Sequence, residues 1–144
     1  MKIKKLLFAS ALLFSAYNVS AQTQVIAHRG FWKTEGSAQN SIAALLKADS
    51  IGCYGSEFDV WLAADDQLVV NHDPTFKGKR MENSPSTALT AIKLDNGESL
   101  PTLAKYLKAA QPLHTRLILE LNAHPPPQRE SKGIEKIVSL VKDM

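Results

Sequence analysis

Glu57 and Asp59 stand two residues apart inside an apolar stretch, Ser56 to Leu62. In an extended strand that spacing turns both carboxylates to the same side. Two such groups held together repel unless one keeps its proton or a cation sits between them. Oxygen ligands of this kind suit Ca²⁺ or Mg²⁺, with waters and a substrate phosphate completing the shell. Glu120 offers a third carboxylate. The plainer alternative, a solvent-facing acidic pair on an edge strand, fits poorly with the apolar Phe58, Val60 and Trp61 around it.

Other charged residues close apolar runs in the same way. His28-Arg29 follows Val25-Ile26-Ala27, His72-Asp73 follows Leu68-Val69-Val70, and Glu120 lies near the end of Leu117 to Asn122. One strand-terminal histidine is usually a turn or a satisfied polar end; recurrence on successive strands weakens that reading. Imidazoles titrate near neutral pH and can exchange protons with a substrate, while an arginine fork grips a phosphate through two hydrogen bonds. Asp73 could orient His72, although an Asp-Pro turn is its expected role. Parallel barrels gather their active sites at the C-terminal ends of the strands, where these residues fall.

The elements that must position them alternate. Val25–Ala27 reads as a first strand and Ser41–Ser50 as a helix with Ile42, Leu45 and Leu46 marking its faces. Gly52 and Gly55 bracket a turn before the second strand, Ser56–Leu62. Asp65-Asp66-Gln67 is a polar turn, and Leu68–Val70 a third strand. Residues 75–99 are irregular and turn-rich, as in an insertion. Pro101 is expected to open a helix reaching about Ala110, since proline costs least in the first turn. Leu117, Leu119 and Leu121 alternate with Ile118, Glu120 and Asn122, which defines a fourth strand. A proline-rich loop from His124 to Gln128 precedes a helical stripe at Ile134, Ile137, Val138 and Val141. Strands alternating with helices predict an α/β fold with a parallel sheet covered by helices. Only eight residues separate Asp59 from Leu68, too few for a helical crossover, so an extended return is expected there.

Taken together, His28-Arg29-Gly30, Gln39-Asn40-Ser41, Glu57-x-Asp59-Val60, His72-Asp73 and Glu120 resemble the glycerophosphodiester phosphodiesterase family, in this order and along essentially the whole chain beyond residue 21. The resemblance implies a (β/α)₈ TIM-type barrel. It implies that Glu57, Asp59 and Glu120 hold a divalent metal, Ca²⁺ or Mg²⁺, that His28 and His72 are the catalytic acid–base pair, and that Arg29, Asn40 and Asn122 bind the substrate. The reaction implied is hydrolysis of a small glycerophosphodiester to glycerol phosphate and an alcohol. Two other readings of the same residues are a degenerate or truncated domain that binds phosphate or metal without turnover, and a phosphodiesterase of related fold acting on intact phospholipid.

The chain departs from the family's pattern at three points. Gln39 stands where the family usually has glutamate, and Asn122 where it usually has a lysine two residues after the glutamate; His124 is a candidate substitute for that lysine. A complete barrel takes about 250 residues, so this sequence is expected to span about the first four strands, the N-terminal half of the domain, and to be a fragment of a longer product.

Met1-Lys2-Ile3-Lys4-Lys5, the apolar run Leu6–Tyr17 and the small residues ending at Ala21 form a secretory signal, expected to be cut there and to direct residues 22–144 to the periplasm or outside the cell. Three of the 17 basic residues lie in that segment, leaving 14 against 14 acidic ones. The basic balance of the whole chain therefore gives no support to nucleic-acid binding. No later stretch has the apolar length of a membrane span, and the single cysteine, Cys53, excludes an internal disulfide.

Overall fold

A computed structural model describes residues 23–123 and 126–142; the expected signal segment, residues 1–21, lies outside them. In chain order the elements are β1 (Ile26–Ala27), α1 (Ile42–Ser50), β2 (Gly55–Leu62), β3 (Leu68–Val70), the hairpin β4 (Thr75–Phe76) and β5 (Lys79–Arg80), a short 3-10 helix (Met81–Asn83), α2 (Ser86–Thr90), α3 (Leu103–Ala110), β6 (Arg116–Leu121) and α4 (Pro127–Lys142).

β2 is the centre of the sheet. β6 runs parallel along one edge, pairing Gly55 through Val60 with Arg116 through Leu121. The other edge is shared. β1 pairs parallel at Gly55 and Ser56, and β3 pairs antiparallel at Val60 through Leu62. The expected third strand of a parallel sheet is thus a hairpin arm. The backbone reverses at Ala63–Gln67, where the Ala63 N–H donates to the Gln67 carbonyl at 2.8 Å and Asp66 adopts a φ of +60°. Three short apolar residues carry no mark of direction, and a five-residue turn reverses the chain without the helix that a parallel return requires. β1, β2 and β6 remain parallel neighbours in sequence order, with α1 and α3 between them along the chain, as in a βα barrel wall.

Residue parity separates the two faces of the sheet. Phe58, Val60 and Leu62 of β2 join Leu45 of α1 and Leu103, Tyr106 and Leu107 of α3 in the main core, with Leu117, Leu119 and Leu121 of β6 packed against it. Glu57, Asp59, Glu120 and Asn122 occupy the alternate positions, which leaves the polar residues on the face away from the helices. A second apolar cluster, including Trp61, Val69, Met81, Leu89 and Leu100, fills the space beneath the hairpin and the turn-rich region. What reads as an irregular insertion is therefore packed structure.

Capping sets the helix boundaries. The Ser41 hydroxyl accepts from the Ala44 N–H at 3.0 Å, and the Glu98 carboxylate accepts from both Ile42 and Ala43 N–H groups at 3.1 Å. α3 begins at Leu103 rather than Pro101, because Thr102 is its N-cap, accepting from Lys105 N–H at 3.2 Å. The Pro101 carbonyl serves the hairpin instead, accepting from Val70 N–H at 2.9 Å. α4 starts earlier than its apolar stripe suggests, at Pro127; a proline in the first turn gives up an N–H that has no helical partner there. Among the described residues no helix is long and apolar enough to cross a membrane, and Cys53 is a free thiol.

Candidate functional site

Asp59 and Glu120 are partners across the β2–β6 ladder, and Glu57 lies two residues before Asp59 on the same face. One ligand atom from each of the three carboxylates falls within 4.8 Å of the others. Asp59 is almost fully buried, with 2% of its side chain exposed, and Glu57 nearly so, with 12%. Glu120 is exposed.

The loop after β1 supplies the basic residues. The Arg29 N–H donates to Glu57 Oε2 at 2.8 Å, and His28 Nε2 lies 3.8 Å from the same oxygen. Arg29 Nε is 3.9 Å from Asp59 Oδ2, and its Nη1 donates to Gln39 Oε1 at 2.9 Å. This loop turns through positive φ at Arg29 (+58°) and Gly30 (+76°). At residue 30 a side chain has no room, since a Cβ there would lie 2.6 Å from Ala44 Cβ and 2.8 Å from the Ala44 carbonyl carbon. The His28-Arg29-Gly30 sequence therefore folds tightly against α1 and turns its imidazole and guanidinium toward the carboxylates.

Burial raises the Glu57 carboxyl above the ordinary carboxylate range, with the charges of Asp59 and Glu120 adding to it. The Arg29 N–H and His28 pull the other way. Glu57 Oε1 is buried and has no hydrogen-bond partner, as are the donors Arg29 Nε and Asn122 Nδ2. An unpartnered buried polar atom costs about 1–3 kcal/mol. One orphaned acceptor among three carboxylates suits a hard divalent cation; an orphaned donor on Arg29, near Asp59, and another on Asn122, two residues after Glu120, suit an oxyanion. The residues present thus fit the metal-plus-phosphate chemistry expected of them.

His72 arrives by the hairpin. The Asn71 N–H donates to the Asp59 carbonyl at 3.0 Å, the Trp61 indole donates to the His72 carbonyl at 3.1 Å, and Asn71 Nδ2 donates to the Asp73 carbonyl at 2.6 Å. Asp73 Oδ1 lies 2.8 Å from His72 Nδ1. Asp73 is more than a turn residue, since its carboxylate contact orients the His72 ring.

Asn40 lies behind the carboxylates: the residue is 2% exposed and both ends of its amide are engaged by Asp59. Asn122, by contrast, has its backbone N–H in the sheet, donating to Val60 at 3.0 Å, and its side-chain donor uncommitted. His124 lies outside the described residues. Sequence reasoning missed Glu98, 56 residues from the helix end it caps, and Asn71; nothing in the spacing of either marks its role.

No protein-family model matches the chain. The glycerophosphodiester phosphodiesterase of Caldanaerobacter subterraneus subsp. tengcongensis is 46% identical over 54 residues, 38% of this chain and 21% of that protein. The crystal structure of a glycerophosphodiester phosphodiesterase from Parabacteroides distasonis superposes with a TM-score of 0.82 at 52% identity, covering 83% of this chain and 51% of that one. An Oleispira antarctica phosphodiesterase, solved with its product sn-glycerol-3-phosphate, superposes at 0.69 with 30% identity, covering 83% and 52%. The chain thus spans about half the length of these solved structures and about a fifth of the curated relative. Over the part it spans, the chain has the fold of these glycerophosphodiester phosphodiesterase barrels and is similar to them in sequence.

Proposed function

We propose that these residues form the metal-dependent centre of a hydrolase that cleaves glycerophosphodiesters to glycerol phosphate and an alcohol, in the turnover of phospholipid-derived diesters. The observation that carries this reading is the convergence of Glu57, Asp59 and Glu120 within 4.8 Å beside the Arg29 guanidinium, 3.9 Å from Asp59. The three carboxylates would hold Ca²⁺ or Mg²⁺. A bound divalent cation supplies charge neutralisation for the phosphate as negative charge grows in the transition state.

The chain's own residues do the rest. Arg29 and Asn122 donate to the phosphate oxygens, the first with charge and the second without. One of His28 and His72 takes the proton from the attacking glycerol hydroxyl and the other gives one to the departing alcohol, leaving a cyclic phosphate that water then opens to glycerol phosphate. The Asp73 contact to His72 Nδ1, at 2.8 Å, fits it to exchange a proton at Nε2. The substrate is a small molecule, with residues 1–21 acting as a cleaved leader and the remainder working in the periplasm or outside the cell.

Release of glycerol phosphate from glycerophosphocholine tests the proposal. Activity should require Ca²⁺ or Mg²⁺, stop with chelator, and be lost in His28→Ala. A folded, cation-loaded sample that releases nothing would overturn the catalytic reading. The uncharged donor at Asn122 favours one alternative, a domain that holds cation and phosphate without turnover; cation binding with no release would support it. Intact phospholipid assayed in parallel separates a lipid-cleaving enzyme from one acting on the deacylated diester.

A further inference from the structure

Asp59 is held by a single neighbour at two points. Asn40 Nδ2 donates to Asp59 Oδ2 at 2.9 Å, and Asn40 Oδ1 accepts from the Asp59 backbone N–H at 3.2 Å. The second contact has a topological cause. On the β1/β3 edge of β2, β1 covers Gly55 and Ser56 and β3 begins at Val60. The Asp59 N–H points to that edge just beyond the last β2–β3 pair; Asn71, which follows β3, meets the Asp59 carbonyl but leaves this N–H to Asn40. Left alone it would be an orphaned buried donor; the Asn40 amide oxygen stands in for a strand carbonyl.

The backbone at Asn40 is left-handed, with a φ of +60°. Glycine also adopts that conformation freely and aspartate tolerates it. Conformation therefore does not single out asparagine. The side chain does, because the site needs a donor and an acceptor on one short planar group. Aspartate offers acceptors alone and would set a carboxylate against Asp59 Oδ2. Glycine offers neither.

Asn40 also ties Asp59 to the phosphate grip. Its own N–H donates to the Arg29 carbonyl at 3.0 Å, and Arg29 Nε lies 3.9 Å from the Asp59 oxygen that Asn40 holds. Ser41, the next residue, caps α1, and Glu98 fastens the same helix end. The turn that presents the amide is thereby fixed from behind.

We infer that Asn40 is a positioning residue for cation binding: it occupies Asp59 Oδ2, sets the carboxylate's rotation so that Oδ1 is the atom offered to the ion, and never touches substrate. The inference rests on the cation reading under Proposed function. Partners of this kind behind a metal ligand change metal affinity by about 10–100-fold when altered.

Calorimetric titration of the full chain with Ca²⁺ and with Mg²⁺ tests it, using Asn40→Asp and Asn40→Gly, with thermal melts in chelator alongside. Both variants should bind cation about 10–100-fold more weakly than the unaltered chain while still melting cooperatively. Should Asn40→Asp fail to fold, Asn40→Gly decides the matter, since it keeps the backbone conformation and removes only the clamp. A structural role alone would lower the melting temperature and leave the affinity of the folded protein in place, and that result overturns the inference. An unaltered chain that binds neither cation overturns the cation reading and this inference together, whereas equal binding by all three proteins overturns the inference alone.

Discussion

Asp59 and Glu120 face one another across the β2–β6 ladder, so two carboxylates from distant parts of the chain meet at one rung. Their closeness depends on register, because a slip of one residue would turn Glu120 to the helix side and bring a leucine to the site. With Glu57 beside them the rung carries up to three negative charges. A divalent cation should therefore stabilise the fold as well as complete the site. At a Ca²⁺ concentration one hundred times its dissociation constant, unfolding should cost about 2.7 kcal/mol more than in chelator. Urea denaturation monitored by circular dichroism measures this; coincident curves with and without calcium would count against the three-carboxylate site.

The chemistry of Glu57 predicts how stability follows pH. Its carboxyl is raised above the ordinary value of 4.5 in the folded chain, chiefly by burial, so the fold binds this proton more tightly than the unfolded chain does. The stabilisation is fully present below the unfolded value and is lost as pH rises through the folded one. Without cation, the chain should lose stability from about pH 4 upward through this group. Glu57→Gln should remove that slope and raise the cation-free melting temperature at pH 7, while weakening calcium binding. A variant that melts lower than the unaltered chain at pH 7 would show that Glu57 is adequately solvated or paired after all.

The carboxylate and histidine positions were legible because strand parity and strand ends are local properties. The alternation from Leu117 to Asn122 places Glu120 on the site face with no tertiary information, and Ser41 announces a helix start. The reversal at β3 was not legible. Leu68-Val69-Val70 reads alike in a parallel strand and a hairpin arm, and the short connection rules out a helical crossover without fixing direction; the antiparallel pairing with Val60–Leu62 does that. The clamp of Asn40 on Asp59 is not legible either, because sequence reports that an amide is present, not which neighbour has claimed it. The start of α4 is hidden because Pro125-Pro126-Pro127 resembles a loop, although its last proline suits a first helical turn.

Two glycines invite contrasting substitutions. At Gly30 an added Cβ meets Ala44 backbone at 2.8 Å with φ at +76°, so neither strain nor overlap has an escape. Gly30→Ala should cost about 2–4 kcal/mol, from overpacking and left-handed strain together, and should weaken cation binding by displacing the Arg29 N–H from Glu57. At Gly55 the nearest contact is the tip of Ile118, Cδ1 at 2.8 Å, which can change rotamer, and the backbone contact, to the Arg116 carbonyl oxygen, is longer at 3.3 Å. Gly55→Ala should cost less than about 1.5 kcal/mol, within the range of tolerated core changes. Chemical denaturation of both variants checks the order, and a Gly55 variant as damaged as the Gly30 one would refute it.

Arg129, in the first turn of α4, ties the hairpin to the element that follows Glu120. Its Nη2 donates to the Leu62 carbonyl at 2.8 Å and the Ala63 carbonyl at 2.7 Å, and its Nη1 lies 4.0 Å from Asp66, which Lys132 also pairs. These carbonyls sit where β2 leaves the sheet, and the returning arm of the same hairpin delivers Asn71 and His72. Arg129→Met keeps the apolar stem and removes both charge-assisted bonds, at an expected cost of about 2 kcal/mol. Arg129→Lys should recover less than half of it, because one ammonium lacks the planar fork that spans adjacent carbonyls. Amide hydrogen exchange should quicken at Ala63–Gln67 before it does in α3, since the bonds removed are local to the hairpin tip. An unchanged exchange pattern with a lower global stability would place the effect in α4 alone and detach the helix from the delivery of His72.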